Sequence, residues 1–110
     1  MSTQQQVENL KILAFELRDF YFLGVEKRSK LKLIIGNFGN ADVTISSILI
    51  VKENNELVRF YPQQYHIKAG EIKEITIEDY NPLELESGRY IIRVFTTRGT
   101  EVTHSFTIQK

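Results

Sequence analysis

The chain has 110 residues, with 14 Lys and Arg against 14 Asp and Glu and no Cys, which is the length of one domain of the usual size of about 100–150 residues. The missing Cys excludes a disulfide framework, a thiolate nucleophile, an iron–sulfur cluster and a thiolate zinc site. Zero formal net charge removes the global positive potential behind non-specific nucleic-acid binding, and no apolar run approaches the roughly 20 residues that span a bilayer.

Residues 1–9 are polar and rich in Gln, too poor in apolar side chains to offset their own ordering entropy, so a disordered tail or linker remnant is expected there. Residues 10–110 read as a single domain without repeats or linkers. Val7, Leu10, Leu13, Ala14 and Leu17 recur at helical spacing, while Leu10, Ile12 and Ala14 also alternate, and both readings fit. A strand over about residues 10–18 is favoured because it would complete a two-sheet core. Residues 19–24, with the β-prone run Phe20-Tyr21-Phe22, would then form a second short strand or an ordered crossing.

From there the dominant period is two, the pleat of a half-buried strand. Leu31, Leu33 and Ile35 alternate with Lys30, Lys32 and Ile34. Val43, Ile45, Ser47, Leu49 and Val51 alternate with Thr44, Ser46, Ile48 and Ile50, and apolar groups on both faces mark a central strand. Glu71–Glu78, Arg89–Thr97 and Glu101–Gln109 follow, the last with Val102, His104, Phe106 and Ile108 on one side and Thr103, Ser105 and Thr107 on the other. Turn signals separate these runs at Asn37–Asn40, Glu53–Glu56, Ala69–Glu71, Ser87-Gly88 and Arg98–Thr100. Gly39 and Gly99 are read as turn positions with positive φ, Asn37 as bonding backbone across its turn, and Gly70 as the bend before the next strand. Short strands at this spacing, with no helix between them, predict an all-β antiparallel sandwich or barrel; with a Tyr corner at Tyr90, an immunoglobulin-like antiparallel β-sandwich of about seven strands is the favoured form. Leu85, Gly88 and Tyr90 match the corner in which a Tyr hydroxyl bonds upstream backbone in such sandwiches.

Catalytic chemistry finds little purchase. Only His66 and His104 offer a base for a nucleophile, and His104 lies on a strand face with Val102 and Phe106, where a packed imidazole is expected. Asp79, Asn81, Glu84 and Glu86 loosely suggest oxygen ligands for calcium, yet the spacing fits no EF-hand loop and a solvated acidic loop is the plainer reading. No cofactor or metal is therefore expected, and no enzyme. Charge is uneven along the chain: Lys11–Lys32 is basic and Glu71–Glu86 acidic, a pattern that fits either head-to-tail contact between copies or ordinary guarded strand edges. Three consecutive aromatics cannot all face one core, so Phe20, Tyr21 and Phe22 are candidate partner-interface residues, with Tyr61 and Tyr65 beside Phe60. Lys in place of Phe20 or Phe22 is expected to abolish self-association of a folded monomer.

The runs Leu33–Val43, Ile67–Glu71 and Gly88–Thr100 resemble the immunoglobulin-like ectodomains of archaeal surface proteins. Among these, the accessory proteins of the archaellum, the archaeal swimming motor, are most similar in size; pilin-like ectodomains come next. The resemblance implies a structural domain at the cell surface that self-associates and anchors the motor to the surface layer as a stator. Its partners would be itself and surface-layer or other archaellum proteins, with no nucleic acid. It also implies an N-terminal membrane anchor, for which the polar start MSTQQQ would be a replaced or trimmed substitute. The alternatives are a pilin-like filament subunit, and a carbohydrate- or ligand-binding module with Tyr61, Tyr65 and segment 79–86 as its platform. The positions that carry the fold in this reading are Asn37, Gly39, Gly70, Gly88, Tyr90 and Gly99.

Overall fold

Alternating apolar residues commit nearly every run to a strand, and the computed structural model, which describes residues 5–110, contains eight: β1 (Leu10–Phe22), β2 (Glu26–Asn37), β3 (Val43–Lys52), β4 (Leu57–Tyr61), β5 (Tyr65–Ile67), β6 (Ile72–Asp79), β7 (Gly88–Thr96) and β8 (Glu101–Ile108). They form two antiparallel sheets. One has the order β1-β2-β6, and the other the order β4-β3-β7-β8, with β5 also paired to β3. The core lies between them, with Leu31, Leu33 and Ile35 of β2 and Ile75 and Ile77 of β6 facing Ile45, Ile48 and Ile50 of β3 and Ile92 and Val94 of β7, all buried.

The early region resolves as strand rather than helix. It is also longer than the sequence suggests: β1 runs unbroken to Phe22, so residues 19–22 extend that strand instead of forming a second one. The reason is pairing, because every residue from Ala14 to Phe22 finds a partner on β2. Leu23-Gly24-Val25 closes the hairpin with Leu23 at φ +52° and Gly24 at φ +75°.

The expected seven strands become eight because β4 and β5 share one edge of β3, with Pro62 between them. A proline has no N–H to donate and breaks such a ladder. β3 is central, as its two apolar faces suggest, but a bulge between Ile45 and Ser47 shifts its register against β7. The extra residue reverses the alternation. Val43 and Ile45 therefore share the core with Ile48 and Ile50, whereas Leu49 turns partly outward.

Residues 5–9, expected as part of a free tail, are tied down; residues 1–4 of that expectation lie outside the described residues. The Phe38 and Asn40 amides donate to the Asn9 and Val7 carbonyls, and the Thr96 hydroxyl donates to Glu8 at 3.0 Å. Hydrogen bonds from backbone and side chains, not apolar burial, hold this segment, which is why its composition conceals it. Gly39 serves the same contact. It is absent from the positive-φ residues, contrary to expectation; a Cβ there would strike the Val7 carbonyl oxygen, with the Asn9 nitrogen 2.9 Å away.

Asn37 is 1% exposed and joins three loops. Its side-chain amide donates to the carbonyls of Ala41 at 2.9 Å and Ile67 at 3.1 Å, and its Oδ1 accepts from the Gly39 amide at 3.1 Å. Its own carbonyl accepts from Gly70, whose φ of +82° makes the bend. Tyr90 donates to the Glu86 carbonyl at 2.8 Å, the hydrogen bond expected of the Tyr corner just after Gly88 opens β7. Gly99, at φ +87°, closes the tight β7–β8 hairpin through the Thr96–Thr100 bond.

Candidate interaction surface

The β1–β2 hairpin outruns its sheet. β6 pairs β2 only from Ser29 to Gly36, so Phe20–Phe22 and Glu26–Arg28 continue as a two-stranded ribbon. The molecule is elongated accordingly, 62 × 33 × 20 Å, with a radius of gyration of 15.6 Å, against about 13 Å for a compact chain of this length. A bare two-stranded ribbon is marginal in water. This one is braced by Arg28, whose guanidinium lies 3.8 Å from the Phe22 ring centre and 4.3 Å from that of Tyr80, and which donates to Glu26 at 3.0 Å. Lys30 lies 5.0 Å over Phe20. At the base, the buried Ser29 hydroxyl donates to Asp19 at 2.7 Å and accepts from the Leu83 amide at 2.8 Å.

The ribbon ends in apolar surface. Leu23 and Val25 are each 83% exposed and Tyr21 63%, side by side at the tip. The flanking charges are spent locally, Lys27 on Asp19 at 3.6 Å and Arg18 on Glu16 at 3.8 Å. The tip is thus electrically quiet and apolar. Leu23, Val25, Arg28 and Tyr80 escape the sequence reading, although the Gly inside Phe22-Leu23-Gly24-Val25 is a turn signal within an apolar run.

Phe20, Tyr21 and Phe22 come together on this ribbon. Tyr61 and Tyr65 do not join them. Tyr61 is 7% exposed, contrary to the expectation that it faces a partner, because its hydroxyl donates to Asp79 at 2.7 Å beneath the Arg59–Asp79 ion pair at 2.7 Å. Burial, together with the hydrogen bond and negative charge of Asp79, pushes its phenol pKa far above the ordinary value. Tyr65 is half-buried and its hydroxyl donates to Gln63; burial raises its pKa too.

Asp79 of the acidic segment is likewise committed elsewhere, whereas Glu84 and Glu86 lie exposed. Asp79 serves Arg59, Tyr61 and the Asn81 amide, and among the described residues no three His, Asp or Glu side chains gather as metal ligands. His66 pairs with Thr44 at 2.9 Å on β5, and His104 packs edge-on to Phe15 on β8, with β3 and β7 between them. The basic and acidic stretches neutralise each other within the fold, Lys32 meeting Glu74 at 3.0 Å and Lys30 meeting Glu78 at 3.9 Å across β2 and β6. The reading as complementary patches for a second copy loses those charges. A cleft of about 310 Å³ opens between the hairpin base and the Leu83–Leu85 segment. No helix among the described residues is long and apolar enough to cross a membrane.

No family model matches the chain, and no curated protein matches it in sequence. Solved structures share its fold. The archaellum periplasmic stator protein FlaG from Sulfolobus acidocaldarius superposes with a TM-score of 0.62 at 12% identity, over 91% of this chain and 100% of that one. The C-terminal domain of wzt gives 0.54 at 12% identity, over 98% of this chain and 80% of that one. A part of the alkylpurine DNA glycosylase AlkC of Pseudomonas fluorescens gives 0.52 at 16% identity, over 92% of this chain but 30% of that enzyme.

Proposed function

We propose that this chain is a non-enzymatic structural domain of an archaellum stator assembly, acting on the outer side of the cell membrane, where it self-associates and binds the surface layer. The observation that carries the reading is the braced hairpin with its apolar tip. Monomeric proteins seldom expose neighbouring large apolar groups without using them, and Leu23 at positive φ is a conformation a leucine adopts at a cost. The full-length superposition on a stator protein supports the same reading, whereas the glycosylase likeness covers only a fraction of that enzyme. The two imidazoles on opposite edges of one sheet favour a domain that works through its outside. The sugar-platform alternative loses Tyr61, whose ring is inside.

Pelleting with isolated surface-layer sheets tests this. The full chain is expected to co-sediment with the sheets, and Val25→Lys to stay in the supernatant. A wild-type chain that stays in the supernatant rejects the reading, as does a thermal midpoint raised by sugars or calcium, since a ligand of the folded state must raise it.

A further inference from the structure

We infer that two copies of this chain join edge to edge through β8, antiparallel about Ser105, so that one sheet runs continuously through both. The inference rests on the self-association proposed above and names its surface. Sheet edges invite strand addition unless they are guarded by charge, Pro, brevity or a bulge. Three of the four are guarded. β1 carries Lys11, Glu16, Arg18 and Asp19 and a bulge between Ile12 and Ala14. β6 carries Lys73, Glu74, Glu78 and Asp79. The β4–β5 edge consists of strands of five and three residues, broken at Pro62.

Beyond Glu101 at its start, which is ion-paired to Arg93 of β7 at 3.0 Å, β8 has none of these devices: from Val102 to Ile108 it contains no Asp, Glu, Lys, Arg, Pro or Gly. It is the last strand of its sheet, so among the described residues one row of its backbone groups has no strand paired to it. Its inward side chains are unfinished as well. Val102, Phe106 and Ile108 are only partly buried, as are Ile12, Phe15 and Leu17 of β1 beside them. Phe106 stands 4.7 Å from Phe15, which is also only partly buried, and 5.6 Å from the buried Tyr90.

The occupant is a second β8 because the strand complements itself. Antiparallel pairing centred on Ser105 sets Val102 against Ile108, Thr103 against Thr107 and His104 against Phe106. Hydroxyls then meet hydroxyls on one face, while on the other Val102 meets Ile108 and the His104 ring meets the Phe106 ring, pairings of the kind that stabilise sheets, and Glu101 meets Gln109 rather than another charge. A two-fold contact requires such matching of a surface with itself.

Because the chain has no Cys, single cysteines report the contact. Residues opposed across an antiparallel pair lie about 4.5–5.5 Å apart at Cα, within disulfide range, so Ser105→Cys is expected to give a disulfide-linked dimer under mild oxidation. Glu101→Cys, about 26 Å from its counterpart at about 3.3 Å per residue, is expected to stay monomeric on a non-reducing gel. In sedimentation, wild type should run at twice 12.8 kDa and Ser105→Lys at the monomer mass; Phe22→Lys, expected from the sequence to abolish self-association, should instead still run as the dimer, because the hairpin lies outside the β8 contact. A dimer that survives Ser105→Lys but dissolves in Phe22→Lys overturns the β8 contact and leaves the proposed self-association standing. A wild type that is monomeric overturns both. Cross-linking of Ser105→Cys to Glu16→Cys in mixed samples, rather than to itself, overturns the two-fold pairing in favour of β8 against β1.

Discussion

The Tyr61 hydroxyl donates to Asp79 at 2.7 Å, tying the end of β4 in one sheet to the end of β6 in the other. Most contact between the sheets is apolar, so this bond is a directional lock on how they are stacked. Arg59 holds the same carboxylate and reaches the Asn81 carbonyl at 3.0 Å.

The lock makes stability fall in alkali. Burial first, then the hydrogen bond and charge of Asp79, hold the Tyr61 phenol neutral well above its ordinary pKa, whereas in the unfolded chain it ionises near pH 10. Its contribution is therefore complete below pH 10 and lost as pH rises beyond it, at about 1.4 kcal/mol per pH unit. Denaturant unfolding of wild type and Tyr61→Phe at pH 9 and pH 11 checks this. The wild type is expected to lose more stability between the two than the variant; equal losses contradict it.

Asn37→Ala removes two donors from buried carbonyls and the acceptor of the Gly39 amide. Each buried group left unpaired costs about 1–3 kcal/mol, so a loss of more than about 2 kcal/mol in chemical unfolding is expected. A change below about 1 kcal/mol would show that the three loops stand without it.

Arg28→Ala is expected to loosen the ribbon and spare the body. Amide exchange at Phe20–Arg28 should quicken by an order of magnitude or more, since the two ring contacts are worth about 0.5–1 kcal/mol each, while β3 and β7 amides remain as protected as before. Uniform exchange changes would contradict a local brace.

Most of the sandwich was legible because its strands are strictly two-periodic. Leu31, Leu33 and Ile35, and Tyr90, Ile92, Val94 and Thr96, face inward as the alternation says. What periodicity could not convey was register. The bulge beside Ser46 reverses β3 without altering composition, and the length of β1 depends on a partner that only pairing reveals. Tyr90 was readable because its motif has a fixed spacing. Tyr61 was not, because an aromatic beside another aromatic carries no sign of which one turns inward, and Asp79 lies 18 residues away. The hairpin rings were found and their apolar tip missed, since Leu and Val read as core until the chain is seen to turn at Gly24.

Leu23→Asn gives the most direct measurement of the central claim, that the hairpin tip exists to bind. Asn accepts the left-handed conformation that Leu23 holds at φ +52°, a conformation that costs other residues roughly 1–2 kcal/mol, and it removes an apolar group already in water. The variant is expected to unfold at higher denaturant than wild type while its binding to isolated surface-layer sheets falls at least tenfold. A variant that is stabilised and binds the sheets as wild type does would contradict the claim.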